Sequence, residues 1–314
     1  MKTTDISQSA LGEALHFLRM SGLFYIRSEL SAPWGLDLPG GKGRANFHVV
    51  TSGKCWLKVA GAKPLELGAG DLVLIPHGEG HQIVDDLKSK TKNVQSLKHE
   101  HVSEHYSILR HGGDGPSTKL ICGAVRFDHP AADHLIKLLP KVIHLKHSDN
   151  METEWLHTTL RLMAGEAREL RAGGETVIAR LADILVIQAI RAWIQDDPVA
   201  KTGWLGALND PQLGRALAKV HRFPTQDWNL ETLASEAAMS RSAFAARFTE
   251  QVGESAIHYV TRWRMQVARG WLKEENIGVS EAANRFGYQS EAAFSRAFKR
   301  MVGVSPGSVR KGAE

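Results

Sequence analysis

Cysteine is nearly absent: Cys55 and Cys122 are the only two in 314 residues. Two thiols cannot make a disulfide framework, and their scarcity favours a reducing compartment. Long hydrophobic runs are also missing. No stretch approaches the ~18 uninterrupted apolar residues that a membrane span needs, so no membrane partner is expected. The opening residues, MKTTDISQSALGEALHF, lack the basic-then-apolar layout of a secretory leader, which makes the cytoplasm the expected location. Aromatic residues are few, at 7%, but 43% of the chain is hydrophobic, which excludes a disordered protein. The length suits two domains of ~100–200 residues, each with its own core. An excess of one charge sign is slight, with a net charge of only +5. That excess lies wholly in residues 200–314, which hold 16 Lys and Arg against 11 Asp and Glu, whereas residues 1–199 hold 23 of each. A basic final third points to a polyanionic partner. Histidine, by contrast, is plentiful, and 13 of the 15 fall in the neutral part.

Along the chain, residues 5–20 read as a short helix with Leu11, Ala14, Leu15, Leu18 and Met20 roughly on one face. The texture then becomes β-like. Leu23 to Leu30, Phe47 to Ala60, Leu72 to Ile75 and Leu120 to Phe127 are short apolar or alternating runs broken by Gly and Pro clusters, a spacing that predicts a sandwich or barrel. Residues 86–118 are polar and read as a long loop interrupting the sheet. Helical periodicity takes over near Pro130, in Leu135–Leu139, 151–171 and 175–195. In the last of these, Val177, Leu181, Leu185, Ala189 and Trp193 form a stripe with Ile184, Val186 and Ile187 beside it. This face is wide enough to serve either as a dimer surface or as an intradomain helix contact. The expected organisation is therefore a first domain over 1–197, a linker over 198–210, and an all-helical domain over 211–314 opened by Asp210-Pro211.

The helical third contains an internal repeat at an offset of 50 residues. Ser240, Phe244, Phe248, Val252, Gly253 and Ser255 recur as Ser290, Phe294, Phe298, Val302, Gly303 and Ser305. Each copy follows a short helix and a turn, the second turn being one residue longer. In each, the serine is placed to cap the next helix, and the two phenylalanines pin that helix to its predecessor. This is the layout of a helix-turn-helix. Ile257 to Leu272 reads as one long helix joining the copies, and two recognition helices about 34 Å apart would enter successive major grooves. A helical bundle whose repeat is merely architectural is the alternative.

The segments LASEAAMSRSAFAARFTEQVGESAIHYVTRWRMQVARGWL and VSEAANRFGYQSEAAFSRAFKRMVGVSPGSVRK resemble the DNA-binding domain of the AraC/XylS family of bacterial transcription regulators. The resemblance implies promoter DNA as a partner, contact with RNA polymerase, and an outward DNA-reading face. That face is Arg241, Ser242, Ala245 and Ala246 in the first copy, and Glu291, Ala292, Ser295 and Arg296 in the second, with Lys299 and Arg300 on the phosphate flank. Two departures stand out. Val309 replaces an aromatic of the closing segment. Ala245 and Ala246 replace polar base readers, so the first copy can offer thymine methyl contacts there but no hydrogen bonds. Arg296 can take a guanine edge and Glu291 can accept from a cytosine amine.

In the first domain, Gly70 to His81 follows the second cupin motif: Gly, five residues, Pro, one, Gly, two, His. The first motif is reduced to His48, without its His-x-His pair and Glu. The resemblance is to the cupin-type sensor domain of AraC-type regulators, which binds a signal and helps a homodimer form. An effector or metal site at His48, His77 and His81 is expected to be weak, because two or three imidazoles fall short of a complete cupin metal set. No cofactor is required on this reading. His99, His101, His105 and His111 belong to the polar loop, as a solvated cluster or a transition-metal ligand set. Cys55 and Cys122 are expected to be buried and inert, with a redox pair as the alternative. The expected fold is thus α+β: a cupin-like β-barrel with following helices, then an all-α domain with two helix-turn-helix units. The expected function is a sequence-specific DNA-binding regulator responding to a small ligand, metal or oxidant. The alternatives are a cupin metalloenzyme with a helical appendage, or a DNA-binding protein without an effector.

Overall fold

A computed structural model describes residues 20–127, 132–146, 154–169, 171–275 and 277–311. The helix expected over 5–20 falls outside them, apart from Met20, which opens the first strand. Among the described residues the chain divides into two compact units, one holding 20–127 with 136–193 and the other holding 132–135 with 194–311.

The first unit is built on twelve strands among the described residues. They are β1 (Met20–Ser31), β2 (Gly35–Leu38), β3 (Arg44–Ser52), β4 (Lys54–Val59), β5 (Leu65–Gly68), β6 (Leu72–Ile75), β7 (His81–Val84), β8 (Lys92–Asn93), β9 (His99–His101), β10 (Tyr106–Gly112), β11 (Ser117–Phe127) and β12 (Ile143–Leu145). One sheet runs β12-β6-β3-β11-β1-β10-β9 and the other β5-β4-β7-β2-β8. The shared core lies between them, with Leu30, Val50, Val73, Leu109 and Leu120 from the first sheet meeting Leu36, Leu57, Leu67 and Ile83 from the second. The apolar run from Phe47 to Ala60 is two strands in different sheets. Gly53, at φ +78°, makes the break, and a Cβ there would lie 2.6 Å from the Ser117 carbonyl oxygen.

The region 86–118 is not a loop. It contains β8, a 3-10 turn at Val94–Ser96, β9 and β10, and β10 pairs in parallel with β1 from Tyr25–Tyr106 to Ser31–Gly112. Tyr106, Ile108 and Leu109 are buried there, so three apolar side chains anchor a strand whose remaining residues are polar. Three helices follow: α1 (Ala132–Leu138), α2 (Glu154–Glu169) and α3 (Gly174–Asp196). Helix α2 packs on β3, and β3 is buried on both faces over Ala45–Val50.

The second unit is helical: α4 (Gly203–Asn209), α5 (Leu213–Arg222), α6 (Leu230–Glu236), α7 (Arg241–Val252), α8 (Ala256–Glu274), α9 (Val279–Arg285), α10 (Glu291–Val302) and α11 (Pro306–Arg310). The stretch 198–210, expected as a linker, is folded. After a 3-10 turn at Pro198–Lys201, α4 buries Trp204, Leu205, Ala207 and Leu208 and packs on α5 and α7. Asp210 does cap the next helix, its carboxylate accepting from the backbone N–H groups of Gln212 and Leu213 at 2.9 Å each. A buried aromatic cluster ties α4, α5 and α8 together. Trp204 Nε1 donates to the Tyr259 hydroxyl at 2.8 Å, the same hydroxyl lies 2.6 Å from His221 Nε2, and the His221 ring stacks on Trp263 at 4.0 Å.

Candidate DNA interface and sensor cavity

The two repeats fold alike. Ser240 Oγ accepts from the backbone N–H of Ala243 at 3.3 Å, and Ser290 Oγ accepts from that of Ala293 at 3.2 Å. Both second helices end on a left-handed glycine, Gly253 and Gly303. Phe244 and Phe248 are buried with ring centroids 5.5 Å apart, and Phe294 and Phe298 repeat this at 5.7 Å. The buried phenylalanines set the rotation of each helix about its axis, which leaves Ala246 on the first and Arg296 on the second exposed between them. The turns differ by the one residue read from the sequence. Ala238 (φ +52°) and Gly287 (φ +72°) supply the left-handed residue in each.

On α7, Arg241, Ser242 and Ala246 are exposed and Ala245 is half-buried. On α10, Glu291, Ala292, Arg296, Lys299 and Arg300 are exposed and Ser295 is half-buried. Three other cations of this unit are tied down. Arg247 meets Asp210 and Gln212, Arg262 clasps Glu254, and Arg264 donates to the carbonyl of Pro224 at 2.9 Å. Neither Arg241 nor Arg296 makes an ion pair with a described residue. The structure thus separates cations that hold the fold from cations whose donors are available to a ligand.

In the first unit, a cavity of about 410 Å³ lies inside the β-structure. Phe24, Ile26, Leu36, Leu38, Val94 and Leu97 make its apolar wall, and Arg44, Asn46 and His48 bring polar groups from β3. His48 and His81 meet with Nε2 atoms 2.7 Å apart, both buried. Burial, and for His48 also the neighbouring imidazole, lowers both pKa values below the ordinary 6.5, so both rings are neutral at pH 7. His77 does not join them. Its Nε2 donates to the Leu139 carbonyl oxygen at 2.9 Å, which makes it a tie between the strand turn and the end of α1. The two imidazoles face each other instead of converging on a common point. Among the described residues no group of three or more His, Cys, Asp or Glu is placed to hold a metal ion.

His99, His101 and His105 line the cavity, each bonded locally, to Val94 O, Ser107 Oγ and Leu23 O respectively. His111 lies on β10 outside it. Cys55 and Cys122 are free and buried in the inter-sheet core. Burial pushes the Cys55 thiol up to about 12 and raises that of Cys122 as well, with the Cys55 charge as a lesser cause. Sequence reasoning missed Arg44 and Asn46. The available signal was the alternation of Arg44, Asn46 and His48 with Ala45, Phe47 and Val49.

Comparison with known proteins agrees with this layout. A cupin family model matches residues 9–195 and a helix-turn-helix domain model matches residues 233–312. An AraC-like transcription regulator of Streptomyces antibioticus is 32% identical over 266 residues, 84% of this chain and 86% of that protein. The HTH-type transcriptional regulator AlkR of Acinetobacter baylyi is 32% identical over 272 residues, 84% of this chain and 87% of AlkR. Among solved structures, the DNA-binding domain of AdpA in complex with a target DNA is 29% identical, covering 33% of this chain and 93% of that one, with a TM-score of 0.31. No described helix is long and apolar enough to cross a membrane. A sheet-rich cupin unit followed by a helical unit with two helix-turn-helix elements places this chain in the AraC family of DNA-binding transcription regulators.

Proposed function

We propose that the protein occupies promoter DNA through α7 and α10 and adjusts that occupancy to a signal held in the cavity of its cupin unit. The observation that carries the DNA half is the pair of serine-capped helices whose outward Arg241 and Arg296 make no ion pair with a described residue. Arg296 reads a guanine and Glu291 a cytosine amine. Arg241 and Ser242 read the other site, with Ala245 and Ala246 against thymine methyls. Ala292 and Ser295 complete the second face, and Lys299 and Arg300 neutralise phosphates.

The signal half rests on the half-open, mostly apolar cavity. A signal changes DNA occupancy only by binding one conformation better than another. The protein needs no cofactor and is not an enzyme in this reading, because the His48–His81 pair is turned inward on itself. The remaining parts are a homodimer, contact with RNA polymerase, and a cytoplasmic location. The homodimer is supported by Val177 and Ile184, which stand 42% and 45% exposed, two turns apart on α3.

Selection of bound sites from a random DNA pool by the full chain tests this reading. A bipartite motif is expected, its two parts about 10 base pairs apart. Enrichment of a single undivided motif, or of none, contradicts it.

A further inference from the structure

The two helix-turn-helix copies share a frame but not a charge. Residues 230–252 hold two Arg and three Glu, a net of −1, whereas 279–302 hold three Arg, one Lys and two Glu, a net of +2. The first copy takes no share in the basic excess of the helical unit.

The difference is sharpest on the reading helices. Matched serine caps and matched pairs of buried phenylalanines align α7 with α10 at the offset of 50 residues, so each side chain of one has a counterpart on the other. Arg247 is half-buried and its charge is met within the fold by the Asp210 carboxylate, while α10 has Ala297 in that place. Thr249 and Glu250 stand where α10 has Lys299 and Arg300, and all four are exposed. Glu250 follows Ala246 by four residues, as Arg300 follows Arg296. Each pair therefore lies on one outward stripe, with the second member one turn, about 5.4 Å, further along. Glu250 makes no ion pair with a described residue. Where Arg300 meets a phosphate with a positive charge, Glu250 brings a negative one to the matching place.

We propose that Glu250 restrains DNA affinity: it keeps the hold of the first copy on the phosphate backbone weak, so that α10 anchors the protein and α7 adds base preference. Phosphate contacts supply affinity without carrying sequence information. Denying them to one copy lowers affinity and leaves base reading with Arg241 and Ser242. Contact at the first part of the site then lies within reach of a coupling of about 5–150-fold, the range over which one bound ligand usually shifts another. This inference rests on α7 and α10 being the helices that meet DNA.

The test is the salt dependence of binding by the full chain to two duplexes, one carrying the site enriched from the random pool and one with that site scrambled. A phosphate contact adds about 0.9 to the slope of log affinity against log salt, which is worth about fivefold at 0.15 M. Glu250→Arg should bind both duplexes at least about fivefold tighter, steepen the slope by about 0.9 and keep the ratio between them. Glu250→Gln should tighten both by less. Arg300→Glu should weaken both by about fivefold and flatten the slope. Asp114→Arg makes the same charge change at an exposed residue of the first unit and should alter affinity far less, because salt screens distant charges. A gain in Asp114→Arg equal to that in Glu250→Arg makes the effect one of net charge and overturns the inference. Unchanged affinity in Glu250→Arg, with Arg300→Glu weakened, overturns the role of Glu250 while α10 stands as a DNA helix. A changed ratio between the duplexes in Glu250→Gln would make Glu250 a base reader and overturn it as well. Insensitivity of both Glu250→Arg and Arg300→Glu overturns the reading of α7 and α10 as the DNA face.

Discussion

His48 and His81 couple the sensor unit to pH through one physical effect. Both are buried and neutral when folded, with pKa values below the 6.5 of an ordinary imidazole. Below about pH 6.5 the unfolded chain takes up protons that the folded one refuses, so stability is whole above that pH and is lost as pH falls. Each histidine adds up to about 1.4 kcal/mol per pH unit to this slope. Thermal melts between pH 7.5 and 5 should show the sensor transition falling steadily, and His48→Gln should flatten the fall. A pH-independent transition contradicts the assignment. The thiols make a second prediction at this scale. With both pKa values raised by burial, Cys55 and Cys122 are poor nucleophiles. A thiol reagent at pH 8 should find neither in the native protein and both after unfolding, whereas fast native labelling would revive the redox-pair alternative.

The left-handed turn residues test the elements. Gly287 holds φ +72° at no steric cost, and nothing lies within 4 Å of a Cβ added there. Gly287→Ala therefore adds backbone strain of about 1 kcal/mol, which the stiffer unfolded chain offsets in part. Ala238 already bears that strain at φ +52° in the first repeat, so Ala238→Gly is the mirror change: it relieves the strain and loosens the unfolded chain by about as much. Neither substitution should cost the helical unit more than about 1 kcal/mol in melting, and a larger loss in either would contradict the turn geometry. The serine caps should matter equally in both repeats: Ser240→Ala and Ser290→Ala should each cost about 1 kcal/mol and leave base preference untouched.

Elements with a strong periodic or capping signal were legible in the sequence, as the repeat of Ser240 to Ser255 at Ser290 to Ser305 shows. Strand β10 was not, because only Tyr106, Ile108 and Leu109 mark it and its neighbours are histidines and glycines. Strand β3 was legible as a strand but not as a cavity wall. Its alternation of Arg44, Asn46 and His48 with Ala45, Phe47 and Val49 ordinarily means a solvent face opposite a core face. Here both faces are covered, and only three-dimensional closure shows that the polar face turns inward.

For the whole molecule, the boundary between units matters most. Proline and acidic residues near Pro198 suggest a linker, yet Trp204, Leu205 and Leu208 are core residues of the second unit. A fragment starting at residue 211 should be less stable than one starting at residue 194 by several kcal/mol, since each of those side chains contributes about 1.5–3 kcal/mol by burial. Equal melting of the two fragments would show that α4 is dispensable. The charge distribution belongs to the same scale: the basic excess sits on the unit that meets DNA, and the neutral unit holds the cavity.

The central claim is that α7 and α10 read separate parts of one DNA site. The most direct test is the discrimination of Arg241→Ala and Arg296→Ala proteins against every single base-pair change in the selected site, at fixed salt. Each substitution should relax preference at its own position by about 1–3 kcal/mol, the two positions lying about one DNA turn apart. Full discrimination by both proteins, or relaxation at one shared base pair, would contradict the account.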